Sequence, residues 1–241
     1  MRIAIEIIFV LVILLCAWSG YKKGLVMGIG SILAIIISLY MGNLLSNTFS
    51  HEAVPVLQPF VSGYMDGTDG VIGKTLNELV GVTSTDLSVE DALNQNPEKK
   101  FKLCEESYKK MGIYSETAKK MANEAVALAE KTDTSIPNAI TDVMCDKLTY
   151  CVGFILFFVL TLIVLTVLGN LLNLSFKIPE MDKLNDIGGA VAGAVTGIMF
   201  CIVAVWALKF SGKLFPEEVM SKTIITSLFM KMDLLSHFLS L

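Results

Sequence analysis

Charge is what this sequence has least of. Asp, Glu, Lys and Arg make up 17% of its 241 residues, where a soluble globular domain carries about a quarter. Apolar residues make up 54% and mean hydropathy is +0.64, so lipid rather than water is indicated as the main solvent. No basic cluster exceeds two residues and net charge is −4, which argues against a nucleic-acid binder. Histidine is confined to His51 and His237, neither in a metal-ligand spacing, and no CxxC, P-loop, GxSxG or GxGxxG occurs. The apolar runs also lack the paired Asp, Ser with His, or zinc set that an intramembrane protease needs. The sequence therefore offers no catalytic, cofactor or metal site and reads as a non-enzyme. Of its five cysteines, only Cys104 and Cys145 offer a disulfide, and only if their loop faces an oxidising compartment.

The few charges are unevenly placed. Ile7 to Tyr21, Gly24 to Ser50, Leu148 to Phe176 and Ile187 to Leu208 contain none, and about 20 apolar residues span a bilayer core. The fold expected is an all-α membrane protein with four transmembrane helices, near 3–21, 25–47, 149–172 and 188–209. The first run also has features of a signal peptide, with Arg2 as a basic start and Ala17-Trp18-Ser19 as a small-x-small site. Glu6 behind the start, and Trp18 with Tyr21 as an interfacial aromatic pair, favour a retained helix. Basic residues near the helix ends divide four against four between the two sides, so they do not orient the protein.

Gly20, Gly24 and Gly28 recur at four-residue spacing, as do Gly189, Gly193 and Gly197. The sequence reads as two hairpins in parallel repeat, each leading through a polar link into a glycine-ridged helix. A side-chain-free ridge lets a neighbouring backbone approach closely, so these six glycines are the candidate helix-packing residues, within the bundle or in a homo-oligomer. Glu6 is the one ionisable group near hydrocarbon and a candidate functional group. Asp182 and Asp186, at i and i+4, share a face, with Asp186 suited to capping the fourth helix. Lys22 and Lys23 form the link of the first hairpin. Ser31, Ser38, Thr161, Thr166 and Thr196 read as hydrogen-bonding within the bundle.

The organisation expected is a first hairpin over 1–50, a helical extramembrane insertion over 51–142, a second hairpin over 143–209 and an amphipathic tail over 210–241. Pro55 and Pro59 are expected to break the chain before a short amphipathic helix near 70–81. Asp86 or Ser88 can cap the next helix. Two further stripes run through Phe101, Leu103, Cys104, Tyr108 and Met111, then Ala118, Met121, Ala122, Ala125, Val126, Leu128 and Ala129, divided by Pro97 and Gly112. These stripes are thin, so the subdomain is expected to rest on the membrane, another subunit or a partner. In the tail, Ile225, Leu228, Phe229, Met232, Leu235 and Leu239 keep helical spacing around Lys231 and Asp233, as in an interfacial helix.

Together, Glu6, the Gly20-Tyr21-Lys22-Lys23-Gly24 link, the segment Asp182-Lys183-Leu184-Asn185-Asp186-Ile187-Gly188-Gly189 and the tail Leu214-Phe215-Pro216-Glu217-Glu218 resemble the colicin V production (CvpA) family of bacterial membrane proteins. The resemblance covers about 1–50 and 140–241; the insertion is longer than in compact members, and lysines stand at 22 and 23 where arginine is frequent. It implies a multi-pass protein of the bacterial cytoplasmic membrane, with termini and insertion outside and the Lys22–Lys23 link cytoplasmic. It further implies an accessory or scaffold in toxin production or envelope maintenance, meeting an envelope or export protein. The alternative class is a small oligomeric transporter or channel.

Overall fold

The structure, a computed structural model, describes residues 2–66, 69–81, 89–171 and 182–232, the side chains of 2, 182, 231 and 232 excepted. The described residues are mostly helical, with no strand: α1 (Arg2–Met65), α2 (Val71–Val80), α3 (Val89–Gln95), a 3₁₀ turn (Pro97–Lys99), α4 (Lys100–Met111), α5 (Ser115–Thr132), α6 (Ile136–Leu171), α7 (Asp182–Leu208), α8 (Glu217–Ser221) and α9 (Ile224–Met232). Three of these, α1, α6 and α7, are long and apolar enough to cross a membrane. Asp86 and Ser88, and the tail residues Asp233, Leu235, His237 and Leu239, lie outside the described residues.

The first two apolar runs, expected as separate helices, are joined without a loop. Helical backbone continues on both sides of Gly24, which alone inside α1 leaves helical geometry, at φ 83° and ψ 175°. Only glycine occupies that region readily. Contacts with α7 show what the kink does. Before it, a Cβ on Gly197 would press on Ile13, one on Gly193 on Cys16, and one on Gly189 on Gly20, so this arm runs antiparallel to α7. After it, Gly28 approaches Gly189 and Ala192, and Ser31 Oγ lies 3.3 Å from Thr196 Oγ1, so the second arm runs parallel to α7. The chain reverses at Gly24.

Helix α6 lines up along the second arm in the opposite sense, Gly42 against Phe158 and Ser46 against Gly153. It joins α7 through Phe154 edge-on to Trp206 at 4.9 Å and Phe158 edge-on to Phe200 at 6.3 Å. The outward faces of these helices carry Leu11, Leu14, Leu33, Ile36, Leu156, Leu160, Ile163 and Val191, all exposed, as lipid-facing surfaces require.

Pro55 and Pro59 do not break the chain; both lie inside α1. Proline at these positions removes the hydrogen bonds to the carbonyls of His51 and Pro55. His51, Pro55 and Pro59 sit at four-residue spacing on one exposed face, where water can satisfy those carbonyls.

That continuation of α1 gives the insertion its core. Residues 48–152 and 209–216 form a compact unit of their own. Its buried cluster joins Leu76 of α2, Leu93 of α3, Leu103, Cys104 and Tyr108 of α4 and Met121, Ala122 and Ala125 of α5 to Val61 and Met65 of α1 and Ile140, Met144 and Cys145 of α6. The thin stripes thus close on the ends of two long helices. The buried Tyr108 hydroxyl donates to the Ile140 carbonyl at 3.0 Å. Gly112 ends α4 at φ 95°, and its carbonyl accepts from Gly212 N–H at 2.8 Å. Tyr114 binds the same returning segment, its N–H donating to Lys209 O at 3.0 Å and its hydroxyl to Phe215 O at 2.7 Å. Residues 209–216 therefore pack with the insertion instead of opening the tail. Cys104 and Cys145 are buried free thiols, and desolvation pushes the Cys104 thiol up to about 12.

Two outcomes are expected. Leu103→Ala empties a fully buried position and should lower the stability of the full chain by about 2–5 kcal/mol, whereas Phe101→Ala, at a position 37% exposed, should cost well under half of that; urea unfolding in detergent followed by circular dichroism decides. Tyr64 Oη accepts from Lys213 Nζ at 2.8 Å, and this ammonium holds the phenol below its ordinary range. The pair strengthens as pH rises through the lowered pKa, while Lys213 stays charged. Ultraviolet titration should show early tyrosinate formation that Lys213→Met abolishes.

Candidate packing site of the apolar bundle

All six candidate glycines are buried. They are not two separate ridges, however: the first triplet is divided by the reversal, with Gly20 ending one arm, Gly24 in the turn and Gly28 beginning the other. Both ends press on the same stretch of α7. A Cβ on Gly20 would fall on the Gly189 carbonyl oxygen and within 2.9 Å of the Gly193 Cα; one on Gly28 would stand 2.7 Å from the Ala192 Cβ. The two triplets form one shared seam, and the geometry gives no support to a matched repeat of two glycine-ridged hairpins. In lipid, such contact replaces the hydrophobic drive that water would supply.

The residue that holds the turn is Asn185. It is 2% exposed, and its Oδ1 accepts from Leu25 N–H at 3.0 Å. Leu25 opens the second arm, so this amide satisfies one of the backbone donors that a helix start leaves unpaired. Its side chain also fills the space beside Gly24, where a Cβ would lie 2.5 Å from Nδ2. Sequence reasoning quoted Asn185 within the Asp182–Gly189 segment but chose the flanking acids. The available signal was a lone amide at the head of an apolar, glycine-ridged run.

Those acids play smaller parts. Helix α7 begins at Asp182, so Asp186 lies in its second turn and cannot be its N-cap; Asp182 has no described side chain. Glu6 Oε1 accepts from Ile224 N–H at 2.7 Å, placing its carboxylate at the start of α9, where the helix dipole favours negative charge. Lys22 and Lys23 are exposed; Lys22 Nζ lies 5.2 Å over the Trp18 ring, which stacks with Tyr21 at 6.5 Å. Ser31, Ser38 and Thr196 donate to the carbonyls of Gly28, Ala34 and Ala192. Among the described residues no cluster of three metal-ligating side chains exists.

Because Gly24 combines a glycine-only backbone with a filled neighbourhood, Gly24→Ala should cost at least about 1–3 kcal/mol. Gly30→Ala, where a Cβ meets nothing within 4 Å, should be neutral or stabilising by up to about 1 kcal/mol. Thermal melts in detergent compare the two. Gly193→Leu should prevent folding or assembly, and wild-type melting with wild-type size on gel filtration would refute the seam.

No curated protein and no solved structure matches the chain. A family model, that of the colicin V production protein, matches residues 121–233. The match takes in Asn185, Gly189, Gly193 and Gly197 on α7, and with them the α7 side of the seam. Over these residues the chain is similar to the colicin V production protein family, the family that its sequence motifs resemble.

Proposed function

We propose that the chain is a four-span integral protein of the bacterial cytoplasmic membrane that serves, without enzymatic activity, as an accessory or scaffold in toxin production and secretion or in envelope maintenance. The observation that carries the reading is the family match across α6, α7 and α9, on helices whose apolar outer faces need lipid. The four spans are the two arms of α1, α6 and α7. The termini and the insertion face outward and the Lys22–Lys23 link faces the cytoplasm. The insertion, with a core of its own, supplies a rigid surface for an envelope or export protein.

Topology and role are tested together. Photoreactive residues at the exposed positions Lys102 and Lys119, not at the buried Tyr108, should capture one defined envelope or export protein in cells. Capture of only further copies of this chain contradicts the accessory role. Impermeant thiol reagents on intact spheroplasts should label Lys119→Cys and leave Lys22→Cys untouched; the reverse pattern inverts the topology.

A further inference from the structure

The four arms border a half-open cavity of about 190 Å³ near the Gly24 end, with Lys23 and Thr166 at its exposed rim. Its wall is mostly apolar or glycine, yet each arm contributes one hydroxyl: Ser19 and Ser31 from the two arms of α1, Thr166 from α6 and Thr196 from α7. A water occupies about 30 Å³ of liquid, so the cavity holds several. Ser31 and Thr196 give their hydrogens to backbone carbonyls of their own helices, whereas Ser19 and Thr166 make no hydrogen bond among the described residues and are free to donate. Among the described residues Lys23 is the one charged residue in the lining, with no Asp or Glu beside it, and Cys16 contributes to the same wall.

We propose that this cavity is a hydrated binding site for small anions, entered past Lys23. The ammonium raises the local concentration of anions, Ser19 and Thr166 donate to them, and the retained water avoids the cost of stripping a charge in hydrocarbon. Asp186, on α7, is not in the lining. The site rests on the membrane-embedded reading of the four arms.

Cys16 is a built-in reporter. The full chain is reconstituted in lipid nanodiscs, both faces open to solvent, and treated with sulfonatoethyl (anionic) or trimethylammonioethyl (cationic) methanethiosulfonate. Labelling of Cys16 is followed by peptide mass spectrometry, each rate normalised to that of a free thiol. The anionic reagent should react faster by about threefold or more, Lys23→Gln should abolish the preference, and Ser31→Leu should slow both reagents. Equal rates, a cationic preference, an unreactive wild-type Cys16, or a preference that survives Lys23→Gln would overturn the proposal. Carbonate extraction of native membranes reads insertion separately, so a failed membrane reading is distinguishable from a failed site.

Discussion

Two backbones can touch only where neither carries a side chain, and the bundle is arranged around that constraint. Gly20 meets Gly189 and Gly193 at distances that no Cβ survives. Ordinary helix pairs stay about 8–10 Å apart because side chains hold them there. Contact between the glycine backbones lets α7 approach both arms of α1 at once. It also makes the reversal at Gly24 affordable, since the turn has no loop of its own and relies on Asn185 for its first hydrogen bond.

The insertion solves a different problem by related means. Its own helices carry too little apolar surface to close a core, as their narrow stripes show. The continuation of α1 past 47, and the first turns of α6, complete it with Val61, Met65, Ile140 and Met144. The returning segment 209–216 then closes on the α4–α5 turn through Gly112, Tyr114 and Gly212. The insertion is therefore tied by several separate stretches of chain.

Much of this was legible in the sequence. The apolar runs located the long helices, and the stripes at 71–80 and in α4 and α5 marked the right buried faces. Glycine spacing found the seam residues, because four-residue periodicity survives whichever helix they serve. What they pack against was not legible: the same spacing fits two ridges or one ridge facing a turn, and only the φ of Gly24 separates them. Pro55 and Pro59 misled because their cost depends on whether the freed carbonyls face water. Asn185 was passed over because charge draws attention that a neutral amide does not, although its amide oxygen is the acceptor that meets Leu25 N–H.

The central claim is that α1 turns back on itself at Gly24. Spin labels at Ile8 and Tyr40, both exposed, lie an equal 16 residues either side of it. A helix continuing through Gly24 would hold these positions about 48 Å apart, at 1.5 Å per residue. Pulsed electron resonance in nanodiscs should instead give a distance below about 25 Å, that of adjacent antiparallel helices; a distribution centred near the longer value would contradict the account.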